Sequence, residues 1–267
     1  MPPAAQSFSK SAFLCGMENE AHCLTAAGIR NPIALSGAQP ERAADCAREL
    51  LAAGAESLFS FGLAGGLDPR LGPGAVIVAD QIVAWRQALP ASSSRAAMQG
   101  IGSILRGGGV EVPPPEEKLT ADTQFDCDSE MSAQLSVVLG EKIWRGAIVG
   151  VDQAVTRPAD KLGLYAATTG LACDMESHVV AEIAQAAGVP FVALRIVSDP
   201  SNRAIPQSAL AGITPEGGVS PRRVLAGLAV RPWELFEILS LALDARSGFA
   251  ALRRVARRSA PLFGAIG

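Results

Sequence analysis

Two acidic residues stand where chemistry on a small polar molecule would need them. Glu176 lies in CDMESHVVAEIAQAAGVP, directly after Met175 and at the start of a stretch with helical spacing. Its carboxylate can accept two neighbouring hydroxyls at once while the Met175 thioether packs beside it, the contacts that a ribose diol asks for. Asp199 lies in VPFVALRIVSDPSNRAIP, at the end of an apolar strand, after Ser198 and before Pro200. Burial at a strand end raises a carboxyl pKa, so that the group carries a proton it can donate. Each acid also has an ordinary reading, Glu176 as a helix-start charge and Asp199 as a turn residue before proline.

Two further segments extend the set. In FLCGMENEAH, Gly16 ends a strand and Glu18 and Glu20 follow Met17. Placed in the same cleft as Asp199, one of these carboxylates would complete an acid and base pair. In SFGLAGGLDPRLGPG, Gly62, Gly65 and Gly66 follow a strand directly, where a bare backbone can approach a ligand and offer amide donors. The spacing is not that of a dinucleotide fingerprint and no Gly-Lys pair exists for a Walker loop, so a tight strand-to-turn junction is the plainer reading.

The elements that must position these residues can be read from apolar runs. Strands are predicted at 11–16, 32–37, 57–62, 75–83, 146–151 and 190–199, each short, apolar and ended by glycine or a polar turn. Between them lie helical patterns such as PERAADCARELLAAG, in which Ala43, Ala47, Leu50 and Leu51 share a face. The alternation predicts a three-layer α/β fold in one domain over 11–267, preceded by a disordered terminus over 1–10. The Ser-, Gly- and Pro-rich stretch 86–120 reads as a surface excursion, either an active-site lid or a solvent loop. Near the end, 248–260 reads as a basic amphipathic helix with Phe249, Leu252 and Val255 opposite Arg253, Arg254, Arg257 and Arg258. It suits either docking with a solvated basic face or contact with an anionic membrane surface.

Composition narrows the function classes. The 267 residues are 49% hydrophobic and 18% charged with a net charge of −3, which suits neither disorder nor a nucleic-acid-coating surface. The five cysteines are scattered without a CxxC pair, and the two histidines, His22 and His178, are far apart, so neither a disulfide framework nor a metal site is expected. The start lacks the basic and apolar regions of a signal peptide, and the late apolar stretch is broken by Arg231, Pro232 and Glu234. A cytoplasmic protein is expected, with surface contact to membrane as an open extension.

In this order, FLCGMENEAH, FGLAGGLDPRLGPG, GVDQAV, DMESHVVA and LRIVSDP resemble the nucleoside phosphorylase and methylthioadenosine/S-adenosylhomocysteine nucleosidase superfamily, over residues 11 to 206. The SDPSNRAIP continuation and the arginine-rich tail look most like the hopanoid-associated phosphorylases within it. The resemblance implies a mixed, twisted central sheet flanked by helices and assembly as a homo-oligomer. It implies cleavage of the N-glycosidic bond of an adenine nucleoside, here phosphorolysis of adenosylhopane to phosphoribosyl hopane and adenine. Inorganic phosphate would be the co-substrate, with no other cofactor.

Carried onto this chain, the resemblance makes Asp199 the acid that protonates the departing purine, with Ser198 orienting it. Glu176, Met175 and Ala64 fall at the ribose, and Gly65, Ala154 and Val155 at the purine slot. Glu20 matches a carboxylate that activates water in the nucleosidases, and Arg195 and Gly16 fall near the nucleophile. The usual phosphate-site arginine and serine are replaced by Ser60 and Leu63. That departure keeps open hydrolysis of methylthioadenosine or S-adenosylhomocysteine, and more remotely a nucleoside-binding protein without catalysis.

Overall fold

Uninterrupted apolar runs make strands that are covered on both faces, and this chain uses them to build the middle of the molecule. A computed structural model describes residues 8–86, 123–140, 142–214 and 217–265. β1 (Ser11–Cys15), β3 (Ser57–Gly66) and β8 (Phe191–Asp199) are buried along almost their whole length. β2 (Ile33–Leu35), β4 (Val76–Trp85) and β6 (Ile143–Val151) are the other predicted strands. β5 (Thr123–Asp126) and β7 (Ala172–Asp174) fall outside the predicted runs, because strands of three or four residues carry no readable period.

The mixed sheet expected for the fold is present, and it curls. β3 pairs with β8 in parallel, β8 with β4 antiparallel, β4 with β6 and β6 with β7 in parallel, and β7 returns antiparallel to β3. These strands close a barrel-like ring, from which β1 and β2 extend beyond β3, and β5 beyond β4. Gly65 of β3 is in register with both Cys173 of β7 and Asp199 of β8. The carboxyl ends of two strands that are distant in sequence are therefore brought to one point.

Helices cover both sides. α1 (Glu18–Ala26), α3 (Ser129–Leu139) and the long C-terminal α8 (Leu235–Ser259) pack Leu24, Leu135, Leu252 and Val255 against Phe13 and Phe59, with the Phe263 ring 4.7 Å from that of Phe13. α2 (Pro40–Ala52) and α5 (Ser177–Ala187) cover the opposite side through Ala43, Ala47 and Leu50 and through Val180, Ala181 and Ala184. α4 (Pro158–Thr168), α6 (Gln207–Leu210) and α7 (Pro221–Val230) complete the helices named here.

Three expectations are altered or lie out of view. Phe8–Lys10, assigned to a disordered terminus, form a single turn with Phe8 buried against Phe59, because an aromatic ring has more to gain in this core than in water. The basic helix of 248–260 is the second half of α8, and its apolar stripe is already used in the core while Arg253, Arg254, Arg257 and Arg258 stay exposed. The excursion at 86–120 lies outside the described residues except for Arg86. Truncating the buried side of α8 should accordingly be expensive and the arginine side cheap. Leu252→Ala is expected to cost about 2–5 kcal/mol in urea unfolding, and Arg254→Ala within about 0.5 kcal/mol of zero.

Candidate active site

The point where β3, β7 and β8 meet opens into a cavity of about 400 Å³. Gly16, Glu20, Ala64, Gly65, Ala154, Val155, Met175, Glu176, Ser198 and Asp199 all line it. Arg195 does not line it; its side chain is buried behind the wall. Trp85 belongs to a core cluster with Leu67, Val149 and Leu164.

Arg195 explains why one side of this cavity is so acidic. It projects from β8 into a nest of oxygens, bonded to Asp174, to Ser60 Oγ at 2.6 Å, to Ser177 Oγ at 3.2 Å and to Glu176 Oε2 at 3.3 Å. A guanidinium can serve so many acceptors because its five donors are fixed in one plane. Asp174 is held in turn by the Ser177 backbone N–H at 3.0 Å and by the Ser177 hydroxyl. Glu20 approaches from the first turn of α1, its Oε1 accepting from the Leu63 N–H at 2.7 Å and its Oε2 from the Met17 N–H at 2.9 Å.

Space for this cluster comes from two glycines. A Cβ on Gly62 would stand 2.6 Å from both Arg195 Nη1 and Glu20 Oε1, and one on Gly16 would stand 2.6 Å from Glu176 Oε1. These residues are bare so that charged side chains can cross them.

Burial and crowding then set the protonation states. Burial raises the Glu176 pKa to about 7, with Arg195 opposing the rise and Asp174 and Glu20 adding to it. Burial also raises Glu20, against Arg195 and the backbone donors of Leu63, Met17 and Gly16. Across the cavity, burial raises Asp199, against Lys161 and Ser198. Ser198 Oγ donates to Asp199 Oδ1 at 2.5 Å, and the Lys161 ammonium donates to Oδ2. The arrangement therefore gathers three carboxyls, all raised by burial, in the wall of one cavity.

Several participants were not singled out from sequence. Ser60 is read there only as a substituted phosphate position and Asp174 is given no role, yet they form the inner bonds of Arg195. Lys161 carries one faint signal, a charged residue one turn before Leu164 on the buried stripe of α4. The apolar end of the cavity, with Ile205, Val219, Val224, Ile238, Leu241 and Phe249, comes from a stretch whose spacing could not show what it faces.

Comparisons with known proteins agree with this fold. The family model described as the phosphorylase superfamily matches residues 11–211. A 5′-methylthioadenosine/S-adenosylhomocysteine nucleosidase of Marinomonas sp. is 27% identical over 154 residues, 57% of this chain; the match spans only 60% of that relative. The corresponding nucleosidase of Neisseria meningitidis, solved with methylthio-immucillin-A, superposes with a TM-score of 0.57 at 17% identity, over 92% of this chain and 98% of its own. The futalosine hydrolase of Helicobacter pylori superposes with a TM-score of 0.58 at 19% identity, over 97% of each chain.

These relatives overturn the narrower expectation of a hopanoid-associated phosphorylase acting as a glycosyltransferase on adenosylhopane, because they are nucleosidases and a hydrolase. The site gives the physical reason. Arg195, expected near the nucleophile, is already enclosed by Asp174 and Glu176, and the cavity wall carries the further carboxyl of Glu20, surroundings unfavourable to an anion.

The raised Glu176 pKa has a consequence for stability. The folded protein holds this proton more tightly than the unfolded chain, so the group's favourable contribution is present at low pH and is lost as pH rises toward and past about 7. Glu176→Gln is expected to flatten the decline in melting temperature between pH 5 and pH 8. At pH 8 it should be more stable than the parent by on the order of 2 kcal/mol, which thermal unfolding in matched buffers would measure.

Proposed function

The chain belongs to the phosphorylase superfamily, and from that premise we propose that it is a hydrolase that releases adenine from 5′-substituted adenosines of the methylthioadenosine and S-adenosylhomocysteine type. The observation that carries this reading is the placement of Glu20. It lines the cavity, held by two backbone donors, with Asp199 in the wall of the same cavity.

In the proposed reaction, Glu176 accepts hydrogen bonds from the ribose hydroxyls and Met175 packs on the sugar. Ala154, Val155 and Gly65 bound the slot for the base. Asp199 gives its proton to the imidazole-ring nitrogen of adenine as the glycosidic bond breaks, relieving the negative charge on the leaving group. Glu20 takes a proton from the water that bonds to the sugar carbon. The products are adenine and the 5′-substituted ribose, and the enzyme exchanges one proton with solvent to reset both acids. Rate should rise on the acid side as Glu20 and Glu176 ionise and fall on the alkaline side as Asp199 ionises.

The apolar wall beyond the sugar supports an apolar 5′ substituent, with methylthio at the small end of the class and a lipid-linked nucleoside at the large end. Adenine release from methylthioadenosine and longer 5′-alkylthio analogues, in phosphate-free buffer, tests the reading. Full turnover without phosphate is expected, with Glu20→Gln and Asp199→Asn each lowering kcat by about 10²- to 10⁴-fold. An absolute requirement for phosphate, or unchanged turnover in Asp199→Asn, would sink it.

The same reading extends to where the enzyme works, a cytoplasmic protein in contact with a membrane surface. Among the described residues no helix is long and apolar enough to cross a membrane. Yet Trp233 and Phe236 are 71% and 78% exposed, beside exposed Leu225, Val230, Leu239 and Leu243, while Val224, Ile238 and Leu241 of α7 and α8 line the cavity. Exposed Arg222 and Arg223 give this apolar face a positive border, which supports contact with an anionic lipid surface. Co-sedimentation with vesicles containing phosphatidylserine, little with phosphatidylcholine alone, and loss of binding in Trp233→Glu/Phe236→Glu are expected. A homo-oligomer dispersed by the same double substitution, without vesicle binding, would instead assign the face to self-association.

A further inference from the structure

Lys161 is a fully buried cation for which the chemistry above has no use. It reaches from α4 to the far side of Asp199, where its ammonium donates to Asp199 Oδ2, to the Pro200 carbonyl at 3.2 Å and to the Arg203 carbonyl at 3.0 Å. An ammonium has three protons and no acceptor, so these partners use all of them. Ser198 holds the other carboxyl oxygen. Both oxygens of the acid are thus oriented, and the turn that follows it is tied to the same nitrogen.

We propose that Lys161 is the positioning residue of the general acid: it fixes the Asp199 carboxyl toward the departing base and provides the positive charge that receives it as a carboxylate once the proton has left. The inference rests on the reading of Asp199 as proton donor. In the step itself the O–H bond of Asp199 breaks, an N–H bond forms on adenine, and the electron pair of the glycosidic bond passes to the base. The negative charge left on Asp199 would be poorly tolerated in a dry wall without a cation already in place. A buried carboxyl with no counter-charge also holds its proton too tightly to be an effective donor near neutral pH.

The other charged and titratable neighbours cannot take this part. Cys173 of β7 is a thiol that burial pushes up to about 12. Asp244 of α8 is an acid that adds to the repulsion on Asp199, and it is paired with the Arg203 side chain at 2.8 Å. Lys161 alone among these neighbours is a cation bonded to the acid.

The pH profile of kcat/KM separates this role from simple support of the turn. In Lys161→Met and Lys161→Gln the Asp199 proton is released at higher pH, so the alkaline limb should move up by about 1 to 3 pH units. The plateau should fall by about tenfold or more, since a weaker acid is a poorer donor. Lys161→Arg keeps the charge and should keep the limb at the parent pH, whatever its plateau. Should the methionine variant fail to fold by circular dichroism, the glutamine variant carries the same test. A folded neutral variant whose limb stays at the parent pH, or a displaced limb in Lys161→Arg, would overturn the inference. Unchanged turnover in Asp199→Asn, run alongside, would instead show that the acid itself had been misassigned.

Discussion

The structure depends on keeping one guanidinium in the dark. Arg195 is 1% exposed, and a charge so deeply buried is tolerable only when its donors are matched by nearby oxygens. The chain supplies them from separate elements, with Asp174 at the end of β7, Glu176 at the head of α5, Ser60 in β3 and Glu20 close by on α1. Meeting that demand draws β7 onto β3, sets the entry of α5 and requires bare backbone at Gly16 and Gly62. The ring of strands and the acid cluster are therefore two aspects of one constraint.

The charges in this cluster do not cancel. Three carboxylates surround one arginine, and the excess is relieved by protonation, which is why burial and mutual repulsion lift Glu176 to about 7. The proposed hydrolysis rests on this charge balance, since an acidic wall repels an anion more than it does water. In the wall of the same cavity, Asp199 has a cation of its own in Lys161. Two acids in one cavity thus have different partners, the arrangement on which the proposed division into proton acceptor and proton donor rests.

The apolar end of the cavity obeys a different logic. α7 and α8 present side chains inward to the pocket and outward to the surface at once, so neither helix has a simple buried stripe before residue 248. From Gly248 onward α8 becomes an ordinary docked helix with arginines outside. The change along one continuous helix marks where packing against β3 and β8 takes over from enclosing the cavity.

Much of this was legible in the chain. The buried strands, the α/β alternation and the acids Glu176 and Asp199 follow from local composition and short spacing, which are properties of neighbouring residues; Glu20 was set apart from Glu18 only by the family resemblance, and the glycine segment expected as a strand-to-turn junction is strand through Gly66. The matching of Asp174, Ser60 and Ser177 to Arg195, and of Lys161 to Asp199, joins residues separated by as many as 135 positions, and no periodicity records such pairings. The strand closure that aligns Cys173 and Asp199 with Gly65 was equally invisible, since β7 is only three residues long. Sequence alone determined which side chains were capable of the chemistry. Tertiary structure decided which of them share a solvent-poor wall, and hence which carry a proton, because desolvation and long-range pairing exist only once the chain has folded.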